Sequence, residues 1–353
     1  MKIQNREEKF KKLFPSEPTY RIKQIQKGLF EPKLKDWDGF TFLSKPLREQ
    51  LLESIDFISC QAVKILQSNL DQTAKAILKL NDDSLIETVL MENSRNQYTV
   101  CISSQVGCAM GCRFCATGRM GLTRSLEVDE IVDQYRFWQI FLADSRKSEK
   151  IITNIVVMGM GEPMANYENI KKAVSLLVDM AGLGETHITV STIGLFPILA
   201  KVLLDKDWPN VRLAISLHAS DYEIRKKIIP STPTNYFQDL IDWSRNYLKK
   251  YGNRRHFLSF EYIMISGLND SLVEAKKLLR LLKKIGHVKV NLIPCNDISV
   301  SELKKSQDIK IRQFSEFLIQ NGIRTTIRRS MGQDIAAACG QLITKEKPPK
   351  SAK

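Results

Sequence analysis

From Thr99 onward, apolar runs of strand length alternate with stretches of helical period. The strand-like runs cover 99–103, 154–158, 187–191, 211–217, 259–265, 288–293 and 323–327. Helical patterns fill the gaps at 128–142, 167–180, 197–204, 237–251, 271–285 and 309–321. Strands alternating with helices of about 10–15 residues imply parallel βαβ units, hence the α/β class. Six or seven units make a complete or partial (β/α) TIM-type barrel, with a doubly wound open sheet as the other candidate.

The polar, glycine-bearing segments favour the barrel. Gly107-Cys108, Gly159 to Pro163, Ser191 to Gly194, Ser216-Leu217-His218, Pro294-Cys295-Asn296 and Ala338-Cys339-Gly340 each follow a predicted strand. In such barrels chemistry gathers at the C-terminal ends of the strands.

The predicted core is 93–344, with a small accessory region at 1–92 and a Pro- and Lys-rich tail at 345–353 expected to be disordered. In the accessory region Asp36-Trp37-Asp38-Gly39 is a break. Lys45-Pro46-Leu47 starts a predicted helix whose apolar face runs through Leu51, Ile55 and Ile58, and 75–87 reads as a strand pair turning at Asn81-Asp82-Asp83.

Lys+Arg total 53 against 39 Asp+Glu, a formal charge of +14. That balance points to a polyanionic partner, nucleic acid or an acidic membrane surface. The basic residues concentrate at 245–255, at 276–289 and at Arg324, Arg328 and Arg329. No apolar run of about 18 residues exists to span a membrane. The N-terminus is charged from its start and carries Glu7 and Glu8, unlike a secretory or transit peptide. The expectation is a reducing, cytoplasmic setting, consistent with an odd count of seven cysteines.

Three of the seven form C-x3-C-x2-C at Cys108, Cys112 and Cys115. Thiolates this close in a glycine-containing loop can wrap one soft metal centre. A structural zinc site needs four closed ligands, and no His or further Cys lies within 70 residues downstream. Three thiolates on a four-iron cluster leave one iron open. This spacing, with Phe114 before the last cysteine and a barrel following, resembles the radical S-adenosylmethionine (SAM) superfamily. The resemblance implies a [4Fe–4S] cluster held by the three cysteines and SAM bound at the open iron. It implies SAM contacts from Gly161, Glu162, Ser191, Ser216, Leu217, His218 and Asn296, with Phe114 near the adenine. As turn and packing residues, Glu162, Ser191 and His218 have simpler readings: a turn, a helix cap and a core histidine.

Cys101, seven residues before Cys108, and Cys339, in Ala338-Cys339-Gly340-Gln341, extend the pattern. In a barrel, the first strand and the segment after the last lie near one seam, so the two thiols could meet. The alternative is two buried free thiols. The whole pattern, from Tyr20-Arg21-Ile22-Lys23-Gln24 to Leu342, is similar to the adenine C2 methyltransferases of 23S rRNA and tRNA, the RlmN family. The resemblance implies methylation at position 2503 of 23S rRNA and position 37 of tRNA, with two SAM per turnover. C2 of adenine is electron-poor, whereas a thiolate is a nucleophile. Cys339 would therefore take the first methyl, and a radical from a second SAM would join that carbon to C2. Cys101 would resolve the covalent adduct through a transient disulfide with Cys339. Glu87, in Ile86-Glu87-Thr88-Val89, would take the C2 proton, a surface strand carboxylate being its plainer reading.

Two departures matter. Cys295 stands where the family has an aromatic residue, and Cys60 has no assigned role. Alternatives are a C8-adenosine methyltransferase of the antibiotic-resistance type, disfavoured by Pro163, and a non-catalytic zinc- and RNA-binding protein. The remaining expectations are a flavodoxin-type electron donor, a monomer, and RNA bases flipped to reach the barrel interior.

Overall fold

The computed structural model describes residues 5–93, 95–144, 151–253, 256–298 and 303–342. Three helices, α1 (Arg6–Leu13), α2 (Tyr20–Leu29) and α3 (Lys45–Ser54), precede three strands, β1 (Cys60–Gln67), β2 (Ala74–Leu80) and β3 (Leu85–Glu92). Next come β4 (Tyr98–Cys101) and a two-stranded ribbon of β5 (Gln105–Cys108) and β6 (Gly121–Ser125). The rest alternates: α4 (Val128–Asp144), β7 (Ile152–Val157), α5 (Tyr167–Met180), β8 (Ile188–Thr192), α6 (Phe196–Leu204) and β9 (Arg212–Ser216). It continues with α7 (Tyr222–Ile228), α8 (Tyr236–Tyr251), β10 (Ser259–Met264), α9 (Leu272–Ile285), β11 (Lys289–Pro294), α10 (Asp308–Gln320) and β12 (Arg324–Ile327).

One ten-stranded sheet runs β1-β2-β3-β4-β7-β8-β9-β10-β11-β12. Strands β4 and β7 to β12 pair in parallel and in chain order, as repeated βαβ units require. The order ends at β12 and β1, so the barrel is partial. Strands β1 to β4 pair antiparallel, and β3 carries the accessory hairpin directly onto the barrel sheet. The sheet therefore passes unbroken through the predicted 92/93 boundary.

The helix from Lys45 is present but ends at Ser54. Ile55 is extended, its amide bonds back to Leu51 at 2.9 Å, and its carbonyl accepts the Trp37 indole N–H at 2.6 Å. Ile55 and Ile58 are thus anchored by tertiary packing rather than by a helical face. The predicted hairpin turns at 81–84 between β2 and β3. The tail 345–353 and Arg254 and Arg255 lie outside the described residues.

A buried ion cluster fastens the accessory helices to α4. Asp133 is fully buried and pairs with Arg6 and with Arg136, whose Nη1 donates to it at 2.5 Å. Arg136 also donates to the carbonyls of Leu29 at 2.7 Å and Phe57 at 2.9 Å. Burial alone would raise the Asp133 carboxyl; the two guanidiniums and the Ser59 amide more than reverse this and hold it at about 2, below its ordinary 3.8. That stabilisation is complete above about pH 4 and is lost as pH falls through 2. Asp133→Asn leaves buried guanidiniums uncompensated and should cost about 3–5 kcal/mol. Urea unfolding at pH 7 measures the loss, and the difference from wild type should shrink on acidification.

Candidate functional site

Side chains two residues apart on a strand share a face, and register carries that face across the sheet. Lys75 pairs with Val89, two residues from Glu87, and Val89 pairs with Cys101. Cys101 pairs with Val156, and Val156 with Thr189, two before Ser191. Ser216 aligns with Glu261, which aligns with Asn291 and then Thr326. Lys75, Glu87, Cys101, Ser191, Ser216, Glu261 and Asn291 therefore lie on one face. The opposite face carries Val100, Ile155, Val157, Ile188, Val190, Leu213, Ile215, Phe260, Tyr262, Val290 and Leu292, all buried in the main core. Thr88 belongs to that helix-facing side and accepts the Trp138 indole of α4 at 3.2 Å.

The three-cysteine loop is framed by the β5–β6 ribbon. Gly107 has φ +76, and a Cβ there would lie 1.9 Å from the Gly121 carbonyl oxygen, so only glycine lets the ribbon close. Beyond the ribbon the loop meets the Cys339 segment. The Ala116 amide donates to the Gly340 carbonyl at 2.7 Å, and the Thr117 hydroxyl to the Leu342 carbonyl at 2.6 Å. Cys339 is thus bonded through its neighbours to the loop that carries Cys115.

All seven cysteines are free thiols, so the disulfide expected between Cys101 and Cys339 is no feature of the resting fold. The two thiols nonetheless lie close enough for charge on Cys339 to act on Cys101. Burial, reinforced by Cys339, pushes Cys101 up to about 12. Cys339 is reachable from solvent, yet the protein atoms crowding it raise its thiol against the favourable field of Arg328. Burial also raises Cys108 to about 11, and Cys112 is raised by burial and by the neighbouring Cys115 and Cys108.

Several predicted ligand contacts have structural partners of their own. Both Glu162 carboxylate oxygens accept backbone amides, from Met164 at 2.9 Å and Ile193 at 2.8 Å, clamping the ends of β7 and β8 together. Its own amide donates to Gln105 at 2.9 Å. Gly161 has φ +100, and a Cβ there would meet Gln105 and Ser104 at 2.6–2.7 Å. Ser191 and Ser216 face each other at 3.3 Å, half-buried. His218 is buried with φ +60, and its Nδ1 accepts the Ile263 amide at 3.1 Å. Burial and then Arg225 lower it to about 3, so the ring is neutral with its proton on Nε2. Phe114 packs on that ring edge-on at 4.7 Å. The Asn296 amide donates to the Cys339 carbonyl at 3.0 Å and accepts from Gln333 at 3.2 Å, fixing the Cys339 loop.

Glu87 is buried, 1% exposed, and its Oε1 lies 3.1 Å from the Lys75 ammonium. The surface-carboxylate reading is therefore wrong. Cys295 fills a second apolar cluster against which Met110, Cys112 and Phe114 pack. Cys60 is buried beside β2 and Asp133.

Sequence reasoning missed Arg225. Fully buried, it donates to the carbonyls of Ser216 at 3.0 Å, Leu217 at 2.6 Å and Ile193 at 2.7 Å. Its guanidinium carbon sits 3.7 Å from the Tyr236 ring centroid. One cation thus gathers the ends of β8 and β9, and its charge acts on Cys112. Its only sequence signal was a basic residue inside an otherwise ordinary helix.

The donor set suits a cluster better than a single ion. Three thiolates are one short of the closed four-ligand set of a structural zinc site, and on a four-iron cluster they leave one iron open. A zinc ion draws every sulfur to about 2.3 Å of one centre, whereas an iron–sulfur cluster takes its thiolates on separate irons.

A family model described as "Radical SAM superfamily" matches residues 102–279. The chain is 42% identical to the "Probable dual-specificity RNA methyltransferase RlmN" of Dictyoglomus turgidum, covering 92% of this chain and 91% of the relative. It belongs to the RlmN family of radical SAM enzymes. It is also 40% identical to the "Ribosomal RNA large subunit methyltransferase N" of Nitrosopumilus maritimus over 92% of either chain. The crystal structure of a radical SAM methyltransferase from Sphaerobacter thermophilus superposes with a TM-score of 0.85 at 38% identity, covering 93% of this chain and 94% of that one. Membership of the superfamily brings with it a [4Fe–4S] cluster and SAM.

Gly161→Ala tests the cradle. The added methyl must push Gln105 and the strand leading to Cys108, at a positive φ that Ala adopts poorly. Expected are a loss of about 1–3 kcal/mol in stability and at least tenfold weaker SAM binding by equilibrium dialysis on the reconstituted protein.

Proposed function

We propose that this chain methylates C2 of adenosine in 23S rRNA and in tRNA, with Cys339 as the methyl-carrying thiol and Cys101 as the resolving thiol. The observation that carries the reading is the joint placement of these cysteines. Cys101 ends β4 on the open face of the sheet, and the Cys339 segment is hydrogen-bonded to the loop of Cys108, Cys112 and Cys115.

When bound, the cluster and SAM supply the methyl group and one-electron chemistry. The chain's own residues do the rest. Cys108, Cys112 and Cys115 would hold the cluster. Gly161 gives a bound molecule close access to backbone, while Glu162 and Arg225 keep the strand ends in place. Ser191, Ser216, Leu217, His218 and Asn296 line or brace the SAM site, and Phe114 forms its apolar wall with the His218 ring. Cys339 stands at an exposed position of its loop, where a flipped adenine could approach. Glu87 is the buried carboxylate on the same face that takes the C2 proton.

RNA supplies the counter-charge for the net +14. Arg245, Lys249, Lys250, Lys283, Lys284, Arg324, Arg328 and Arg329 are exposed and would contact phosphates in a salt-sensitive manner. A flavodoxin-type, low-potential reductant would supply electrons to a cytoplasmic monomer. No helix among the described residues is long and apolar enough to cross a membrane.

The test is anaerobic reconstitution with SAM, a low-potential reductant and either an rRNA fragment or tRNA, followed by nucleoside mass spectrometry. The expected product is 2-methyladenosine; 8-methyladenosine, or no methylated adenosine from cluster-loaded protein, overturns the reading. Cys339→Ala should abolish product by at least a thousandfold. Cys101→Ala should instead trap the protein on its RNA as a covalent adduct visible on a denaturing gel.

A further inference from the structure

Lys75 sits in the interior of β2 with its side chain buried. A buried ammonium is costly unless its charge and its protons are satisfied. Here it has two partners from distant parts of the chain. One is the Glu87 carboxylate on β3 at 3.1 Å, and the other is the Ala336 carbonyl, which accepts from it at 3.0 Å. Ala336 lies three residues before Cys339 and has φ +51, a left-handed conformation that a residue with a Cβ holds only when its surroundings enforce it.

The same hairpin grips the loop at further points. The Ser68 hydroxyl and the Asn69 amide donate to Asp334 at 2.7 and 2.8 Å. In return the Gly332 amide donates to Asp71 at 2.9 Å. These ties involve the turn and the exposed edge, whereas Lys75 joins the loop to the buried Glu87 carboxylate.

We propose that Lys75 is a positioning residue that fixes the Cys339 loop relative to the Glu87 carboxylate, holding the methyl-carrying thiol and the proton acceptor in register across one ammonium. The inference rests on the roles given to Cys339 and Glu87 above. It assigns the accessory strands a part in the reaction: β2 supplies the pin and β3 the carboxylate. Methionine at this position keeps the length and loses both bonds, whereas arginine keeps a permanent charge and several donors.

The test uses the full chain with Lys75→Met and Lys75→Arg. The first measurement needs neither SAM nor RNA: the rate at which iodoacetamide alkylates Cys339, followed by peptide mass spectrometry with the Cys60 peptide as internal reference. Lys75→Met should speed Cys339 alkylation about tenfold relative to Cys60, the scale of losing one buried charge-assisted bond. Lys75→Arg should stay within about threefold of wild type, since the guanidinium can still bridge. A merely structural role would speed both cysteines together. The second measurement is a single turnover: Lys75→Met should still carry methyl on Cys339 but accumulate RNA–protein adduct.

Wild-type alkylation in Lys75→Met, or an equal rise at Cys60, overturns the inference. So does adduct resolution at the wild-type rate. If alkylation rises but wild-type Cys339 never carries a methyl group, the pin stands and the proposed role of Cys339 falls. Should Lys75→Met not fold, Lys75→Gln takes its place under the same criteria.

Discussion

A β-strand turns its side chains alternately to two faces, and this sheet uses that period of two to separate folding from chemistry. One face is a continuous apolar layer under the helices. The other carries Cys101, Ser191, Ser216, Glu261 and Asn291, and through the antiparallel extension Lys75 and Glu87. A one-residue slip between β3 and β4 would turn Glu87 toward the helices and Thr88 toward the open face. The Thr88–Trp138 hydrogen bond and the apolar core oppose that slip from the far side of the sheet. Burial of the apolar face therefore fixes the placement of the polar side chains on the open one.

The accessory strands extend the sheet on the first-strand side of the open barrel. A closed barrel would pair its last strand with its first; here β12 and β1 end the sheet. The chain after β12 instead crosses the mouth as a loop. That loop is bonded to the hairpin turn by Asp71 and Asp334, to the barrel by Asn296, and to the three-cysteine loop by Gly340 and Leu342. Cys339 is held from three sides without belonging to a regular element. Its position depends on the hairpin, and the hairpin's neighbours depend on the Asp133 cluster that binds the N-terminal helices to α4.

The barrel was legible in the sequence because its helices and its strands from β4 to β11 bury a face, leaving a period that can be counted. Strand β1 was not: its residues after Cys60 are exposed or half-buried, so no alternation marks it. The cysteine spacing was legible because ligand geometry is local. The partners of Lys75, Arg225 and Asn296 were not, since each bond joins segments brought together only by the fold. Glu162 and Asn296 carry a related lesson. Their position after strands marked them as polar and important, but only the hydrogen bonds reveal that much of their capacity holds backbone in place.

The thiol chemistry is restrained by the same burial that builds the fold. Thiol exchange and disulfide formation both proceed through the thiolate. With Cys101 pushed up to about 12 and Cys339 also raised, thiolate is scarce in the ligand-free chain at neutral pH. Two close thiols at an open barrel mouth would otherwise be easily oxidised. Arg328 favours the Cys339 thiolate, and Glu261, to which Arg328 pairs at 3.4 Å, opposes it. Burial and the Glu261 carboxylate thus oppose the Cys339 thiolate while Arg328 favours it, and a group bound beside Cys339 would act on that balance.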